Sequence, residues 1–391
     1  MNKKIVVVGG CGHIGLPLSV ALVNSGFNVV AYDINSTVVE EVKKGKMPFI
    51  EDNGEYELAK AIASKRFDVK SKLDDSDVGS NFILTLGTPV DEFLNPSLNI
   101  FETSLAPLLN YFTDESLIIL RSTVFPGTTQ WLHNFLENNG KKANVAFCFE
   151  RVVQCKTLEE IKSFPQIIAA TTPEAARRAK KIFLKIAPKV IFCQPKEAEF
   201  AKLFLNSFRY IQFAIANQFY MIADSANLNF NKIRKIMSED YPRANGLPGA
   251  GFAAGPCLFK DTMQLASFAQ NNFSLGSSAM LVNEGIVLYI KDLIQKKYDC
   301  QNITVGLLGM AFKAECDDIR SSLSYKFRKV LKPIVKEVLC NDDFVKNDNT
   351  LLPLNEVLDK SDILILCTPH SYYKKINFSK PIIDIWNLVN D

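Results

Sequence analysis

Residues 4–33 constrain this chain more than any other stretch. Lys4-Ile-Val-Val-Val-Gly-Gly-Cys-Gly-His-Ile-Gly15 runs from an apolar strand into a glycine cluster. A helical stretch follows to Ser25-Gly26, and Asn28-Val-Val-Ala-Tyr-Asp33 reads as a second strand closed by an acid. The glycines fall as Gly10-x-Gly12-x-x-Gly15 at the strand-to-helix turn, where a tight turn and close backbone approach are needed. A helix opening near Ile14 points unpaired N–H groups and a positive dipole end at whatever sits on that turn. In this strand–turn–helix context the pattern predicts a dinucleotide pyrophosphate site. Asp33 can accept hydrogen bonds from ribose hydroxyls and would repel a 2′-phosphate, and Ile34-Asn35 supplies no arginine, so NAD is expected rather than NADP.

Further strands are expected at Asn81 to Leu86, Leu117 to Leu120 and Asn144 to Phe149, with a last pair at Gln166 to Ala170 and Lys189 to Cys193 flanking a helix from near Pro173. The alternation implies a mainly parallel sheet covered by helices on both faces. From Lys196 the periodicity turns helical to about Ala223, with more helices near 231–238, 260–271 and 278–296, interrupted by the Gly/Pro-rich loop Tyr241 to Pro256. The last 90 or so residues echo the first domain in order. Ile303-Thr-Val-Gly-Leu-Leu-Gly309 parallels Ile5-Val-Val-Val-Gly-Gly10, Glu337 to Asp342 parallels Val29 to Asp33, and Ser361 to Pro369 parallels Asn81 to Pro89. The expected fold class is therefore α/β, with two Rossmann-like parallel-sheet domains joined by a central helical domain with a long connecting helix. The division expected is 1–195, 196–300 and 301–391.

Composition narrows the rest. Of 391 residues 47% are hydrophobic and 22% charged, which is globular rather than disordered. With 45 basic against 42 acidic residues and no dense basic run, neither nucleic acid nor membrane is an expected partner. The apolar run after Met1-Asn2-Lys3-Lys4 is too short for a signal-peptide core and no apolar stretch is long enough to span a bilayer, so a cytoplasmic location is expected. Nine cysteines without a C-x-x-C pair argue against a disulfide framework or zinc ribbon. Three histidines, at 13, 133 and 370, are too scattered for a His-built centre, and no metal is expected.

Five positions carry candidate chemistry. Cys257 follows Gly249-Ala-Gly-Phe-Ala-Ala-Gly-Pro256 and precedes a helical first turn holding Lys260, a setting that lowers a thiol pKa. Asp261 lies one turn further on the same face. Lys202 and Asn206 are spaced i, i+4 on the long helix, a pair of donors suited to an oxyanion. Glu150 ends a strand at its carboxyl edge, where ligands of α/β sheets collect; it can act as a base there or simply be solvated.

Together these pieces resemble the UDP-glucose/GDP-mannose dehydrogenase family over essentially the whole chain. The motifs are Gly9-Gly-Cys-Gly-His-Ile-Gly-Leu-Pro17, Arg121-Ser-Thr-Val-Phe-Pro-Gly127, Phe149-Glu-Arg-Val152, Lys202-Leu-Phe-Leu-Asn206, Gly255-Pro-Cys-Leu-Phe-Lys-Asp261, and Leu308-Gly-Met-Ala-Phe-Lys313 followed by Asp317-Asp-Ile-Arg320. The resemblance implies an NAD-dependent four-electron oxidation of a UDP-sugar C6 hydroxyl to the uronic acid, through a thiohemiacetal and thioester on Cys257. It implies that Lys202, Asn206 and Asp261 hold the hydrolytic water and the oxyanion, and that Thr123 and Glu150 join the acid–base and hydrolytic work. NAD would be held by Gly10, Gly12, His13, Ile14, Gly15, Asp33, Thr88, Thr123 and, from the C-terminal domain, Arg320. The sugar nucleotide would be held by Glu150, Arg151, Lys202, Asn206, Gly249, Gly251, Phe252, Lys260 and Lys313, with Arg243 acting across a homodimer interface.

Phe149 to Val152 and Tyr241-Pro-Arg-Ala-Asn245 look more like the branch acting on UDP-N-acetylhexosamines, such as UDP-N-acetylmannosamine, than the UDP-glucose branch. Two departures from the family pattern stand out. Ala253-Ala254-Gly255-Pro256 replaces the usual paired glycines, with a proline that has no N–H to donate, and Gln154 stands where glucose-type members often carry a second Glu. Two other readings stay open. A two-electron β-hydroxyacid dehydrogenase also joins a Rossmann domain to a helical one, but has no use for Cys257 or the 303–391 repeat. A non-catalytic nucleotide-sugar sensor would share the fold without the activity.

Overall fold

The computed structural model of the protein describes residues 4–88 and 98–389, so Pro89 of the third echo and the first three residues lie outside them. The chain forms two compact units, Met1–Leu203 and Phe204–Asp391.

The first unit is built on eight strands: β1 (Ile5–Val8), β2 (Val29–Tyr32), β3 (Phe67–Lys70), β4 (Asn81–Leu84), β5 (Leu117–Leu120), β6 (Asn144–Phe147), β7 (Gln166–Ala170) and β8 (Val190–Cys193). They lie in the order β3-β2-β1-β4-β5-β6-β7-β8. Neighbours are parallel except β6 and β7, which pair antiparallel. Its helices are α1 (Gly15–Asn24), α2 (Ser36–Lys43), α3 (Gly54–Ala63), α4 (Leu98–Leu105), α5 (Thr128–Asn138), α6 (Thr157–Ser163) and α7 (Pro173–Phe183). Strand sequences such as Ile-Val-Val-Val and Leu-Ile-Ile-Leu have no polar alternation because both sheet faces are covered. Ile5, Val7, Ala31, Ile83 and Ile119 pack into one core, and Val6, Val8, Phe82, Leu84 and Ile118 into another on the opposite face. Strand β3 escapes a reading by apolar pattern, since Phe67-Asp-Val-Lys70 is an edge strand that buries only Val69.

Helix α8 (Pro195–Ser225), 31 residues long, carries the boundary between the units. The second unit continues with α9 (Phe230–Ser238), α10 (Leu258–Phe268), α11 (Ser274–Lys297), α12 (Leu323–Leu331) and α13 (Leu354–Lys360), and with β9 (Thr304–Leu308), β10 (Glu337–Asn341), β11 (Ile363–Leu366) and β12 (Ile382–Ile383). These strands form a parallel sheet in the order β10-β9-β11-β12. Strand β9 sits between β10 and β11 as β1 sits between β2 and β4, so the three sequence echoes occupy corresponding strands. Ile286, Val287 and Ile290 of α11 share a core with Val305, Leu307 and Phe327. Among the described residues, no helix is long and apolar enough to cross a membrane.

Candidate active site

The glycine turn of the first unit has the shape its sequence requires. A Cβ on Gly15 would stand 2.1 Å from the Gly9 carbonyl oxygen, and one on Gly10 2.6 Å from Ala31 Cα, so both positions admit only glycine. At Gly12 the nearest atom is 3.4 Å away, which leaves that side of the turn open for a ligand. Ile14 is the N-cap of α1 with no side-chain cap, and the first turn holds no acid to compete with an anion at the positive end of the helix dipole. Asp33 follows β2 and accepts from Cys11 N–H (3.2 Å) and Asn35 N–H (3.1 Å), which fixes the carboxylate against the glycine turn. This geometry fits NAD: pyrophosphate on the α1 N-terminus, adenosine ribose on Asp33. His13 packs on Phe49 beside it with the rings tilted by 39° and their centroids 4.2 Å apart. Thr123, which follows β5, is buried, and Thr88 beyond β4 is partly exposed. Asp33→Asn removes the charge while keeping the shape, and we expect the KM for NAD to rise roughly tenfold with discrimination against NADP reduced. An unchanged cofactor KM in steady-state kinetics would contradict that role for Asp33.

Lys202 is 6% exposed, so it is not a surface lysine. Its Nζ donates to the Glu150 carbonyl oxygen (2.9 Å) and to Glu150 Oε1 (3.1 Å). The second carboxylate oxygen, Oε2, accepts from Val152 N–H at 2.8 Å, so Glu150 is held in place rather than merely solvated. Arg151 donates to the Pro165 carbonyl.

The segment after Glu150 is pinned by Glu51, which the sequence reading passed over. Glu51 Oε1 accepts from Leu158 N–H at 2.7 Å at the start of α6, and Asp52 N–H donates to the Cys155 carbonyl at 2.9 Å. Burial pushes the Glu51 carboxyl up to about 7, against the Leu158 N–H that lowers it. Between its ordinary value near 4.5 and about 7 the folded state therefore holds more proton than the unfolded state, and stability falls as pH rises through that window. Tm should decline from pH 4.5 to 7 in the natural protein and decline less in Glu51→Gln; parallel curves would refute the assignment.

In the second unit, Cys257 is the N-cap of α10 and the only exposed one of nine cysteines, none of which is disulfide-bonded. Burial raises the thiol pKa of Cys11 to about 12, and raises those of Cys148, Cys340 and Cys367 as well, which makes these four inert packing residues. One turn into α10, Asp261 is fully buried. Its Oδ2 accepts from Asn206 Nδ2 at 2.5 Å, and its Oδ1 lies 3.3 Å from Lys260 Nζ. Asn206 is itself 5% exposed, so the helix-interior asparagine is spent on a buried carboxylate.

The loop before Cys257 is shaped by two glycines. Gly255 has φ +106, and a Cβ there would meet the Phe312 ring at 2.6 Å; a Cβ on Gly251 would meet Trp386 at 2.4 Å. The Phe252 ring is buried against Phe327, leaving its backbone as the part that can face a ligand. Gly249 has open space around it. Gly255 N–H donates to Ser321 O, so the segment carrying Asp317 to Arg320 lies against the cysteine loop. Arg320 makes a bidentate pair with Asp318, with Nη2–Oδ2 at 2.6 Å. Its pKa is raised by that hydrogen bond first and by the Asp318 charge, against the burial that lowers it.

The acid that ends β10 behaves differently from Asp33. Asp342 is buried, and its Oδ2 accepts from Met310 N–H (2.6 Å), Ala311 N–H (2.8 Å) and the His370 ring (3.0 Å), while Oδ1 takes Phe344 N–H (2.9 Å). The carboxylate is sealed, so any nucleotide on this domain is read without a ribose contact to Asp342.

Comparison with known proteins gives the same architecture over the full length. Three family models match in sequence order: the UDP-glucose/GDP-mannose dehydrogenase family NAD binding domain over residues 3–187, its central domain over 196–285, and its UDP binding domain over 306–391. A UDP-N-acetyl-D-mannosamine dehydrogenase from Methanococcus vannielii is 31% identical over 98% of this chain and 89% of its own. The chain belongs to the UDP-glucose/GDP-mannose dehydrogenase family.

A second relative of this family, the UDP-N-acetyl-D-mannosamine dehydrogenase of Pyrococcus horikoshii, is 28% identical over 99% of this chain and 96% of its own. A solved structure of the UDP-D-ManNAc dehydrogenase from Pyrococcus horikoshii superposes with a TM-score of 0.88 at 29% identity, covering 96% of this chain and 91% of that one. A UDP-glucose dehydrogenase from Pyrobaculum islandicum shares the fold, with a TM-score of 0.90 at 23% identity, 100% of this chain and 96% of that one. This member of the family is thus an NAD-dependent dehydrogenase carrying the family's UDP binding domain, and NAD is its cofactor. That excludes the β-hydroxyacid dehydrogenase reading. Besides Glu51, sequence reasoning missed the Asp342–His370 pair and Arg121, a buried guanidinium that donates to the Cys148 carbonyl and Gln166 Oε1 (2.8 and 2.5 Å). The signal for Arg121 was present, a charged residue directly after the all-apolar strand β5.

Proposed function

We propose that this dehydrogenase oxidises the C6 hydroxyl of a UDP-N-acetylhexosamine, UDP-N-acetylmannosamine first among them, to the uronic acid in two rounds, with Cys257 as nucleophile. The observation that carries the reading is the contrast between Cys257, exposed at the α10 N-terminus, and the other eight thiols, six of them buried and Cys193 and Cys300 half-buried. Bound NAD supplies the acceptor for the hydrogen lost from C6, once per round. The first round leaves an aldehyde. The Cys257 sulfur adds to it to give a thiohemiacetal, the second round leaves a thioester, and water cleaves that to the acid and the free thiol. An Arg320 charge and a helix N-terminus both favour the thiolate.

In this proposal Lys202 and Glu150 act as a coupled pair, the ammonium steadying developing negative oxygen and the carboxylate managing protons with Thr123. Asn206 and Asp261 hold the hydrolytic water. Gly249, Gly251, the Phe252 backbone, Lys260, Lys313 and Arg151 bind the sugar nucleotide, and the bond from Arg151 to the Pro165 carbonyl orders the Glu150 segment. His13, Thr88 and Arg320 complete the cofactor contacts. The working division is 1–195 for NAD, 196–300 for the catalytic loop and dimer contact, and 301–391 for the UDP moiety. The nine cysteines outside any disulfide suit a reducing compartment such as the cytoplasm.

A homodimer belongs to the same proposal. Phe204, Phe208, Ile215, Phe219 and Ile222 form an exposed apolar stripe on α8, at spacings of one helical face. A second copy covering that stripe would bring Arg243, exposed on its short helical turn, near the partner's site. Sedimentation equilibrium should give twice the 43.7 kDa chain mass, and Phe208→Glu should shift it to one.

The substrate reading follows Phe149 to Val152, Tyr241 to Asn245 and the substrates named for the relatives. Turnover with UDP-N-acetylmannosamine, UDP-N-acetylglucosamine, UDP-glucose and GDP-mannose tests it. The highest kcat/KM is expected with the first. A preference for UDP-glucose would overturn the branch, and binding of any of them without NADH formation would favour the sensor.

A further inference from the structure

The loop that delivers Cys257 is anchored from below by a buried chain of amides outside the site residues discussed above. Asn217 on α8 is fully buried, and its Oδ1 accepts from Gly251 N–H at 2.8 Å. Its Nδ2 donates to Asn283 Oδ1 at 2.9 Å, and Asn283 Nδ2 on α11 donates to the Tyr210 carbonyl at 2.9 Å. Asn283 and Tyr210 are fully buried as well. The chain has one sense only: the Tyr210 carbonyl must face an NH2, which turns the Asn283 oxygen toward the Asn217 NH2 and the Asn217 oxygen toward Gly251. On its other side Gly251 is capped by Trp386, whose ring leaves no room for a Cβ. Gly251 is thus clamped between an oriented amide and an indole, six residues ahead of the thiol. Two asparagines inside apolar helices cost helix propensity and desolvation, and the backbone placement they enforce is what offsets that cost.

We propose that Asn217, oriented by Asn283, is a positioning residue that sets where the Cys257 sulfur meets the aldehyde. The inference rests on the reading of Cys257 as nucleophile. The step it governs is addition of the thiol across C6=O, in which the S–C6 bond forms, the carbonyl π bond breaks and the thiol proton ends on the oxygen, with no change in oxidation state. A displacement of an ångström slows such an addition more than it slows the first round of oxidation, which does not use the sulfur.

The test is NADH formed per sugar nucleotide consumed, with aldehyde trapped by hydroxylamine, in the natural enzyme and in Asn217→Leu and Asn283→Leu. The expected result is two NADH and no trapped aldehyde for the natural enzyme. Both variants should give a ratio well below two and trapped aldehyde, with the initial rate of the first round changed less than about threefold. A purely structural role would lower the amount of active enzyme and leave the ratio at two, and that outcome overturns the inference. A natural enzyme that itself stops at one NADH instead overturns the nucleophile reading, and the rate of Cys257 alkylation by iodoacetamide in Asn217→Leu then decides the positioning claim, an unchanged rate counting against it. If neither variant folds, hydrogen exchange on the natural enzyme still decides: the Gly251 amide should be as protected as the interior of α8, and fast exchange there refutes the clamp.

Discussion

Replacing Cys257 with serine should abolish uronate formation, lowering kcat by roughly 10³-fold or more, the scale seen when a covalent nucleophile is removed. A serine hydroxyl keeps the size and the N-cap position at α10 but stays protonated where a thiol ionises. Because Cys257 is exposed, the substitution opens no cavity, and Tm should move by no more than a degree or two. The loss of activity is then chemical, and a slow single round with aldehyde release is the expected residue of function. Steady-state rates with coupled detection of aldehyde check both halves, and full activity in the variant would remove the thioester from the mechanism.

The second large effect is expected at Lys202. Its ammonium and the Glu150 carboxylate are mostly shielded from water, with side chains 7% and 14% exposed. Lys202→Met keeps the apolar stem and deletes the charge, leaving Glu150 with the Val152 N–H as its hydrogen-bond partner among the described residues. Breaking one side of such a pair costs on the order of 3 kcal/mol, because the remaining carboxylate is still desolvated. On the proposed role of Lys202 the same deletion removes the cation that steadies the reacting oxygen, worth about 10²- to 10³-fold in kcat. Both losses should appear together, in thermal melts and in kcat. Asn206→Leu, which strands the buried Asp261, should in contrast destabilise the second unit most. A Lys202→Met protein with natural kcat would show that the lysine only buttresses Glu150.

The sequence revealed those features that backbone geometry forces on residue type. Gly10 and Gly15 could be read because no other residue fits beneath Ala31 and Gly9. The Rossmann echo could be read because fully buried parallel strands must be apolar throughout, and β9, β10 and β11 repeat β1, β2 and β4 in register and order. Strand β3 was illegible because an edge strand needs only Val69 inside. Asn206 betrayed itself as a polar residue among Leu203, Phe204 and Leu205, and Asn217 carries the same signature eleven residues on. What no local pattern could supply was its partner, since Gly251 lies 34 residues away and the bond exists only after the helices pack. Asp342 shows the opposite failure. It matches Asp33 in sequence position, yet His370 and the backbone amides of Met310, Ala311 and Phe344 close it off, and only the fold distinguishes an acid left partly exposed beside the glycine turn from one that braces a turn.

The most direct test of the central claim, that Cys257 carries the substrate through a thioester, is the count of NADH released per UDP-sugar consumed to completion by the natural enzyme. The account expects two, with the uronic acid as sole sugar product. A count of one, with the aldehyde as product, would contradict it.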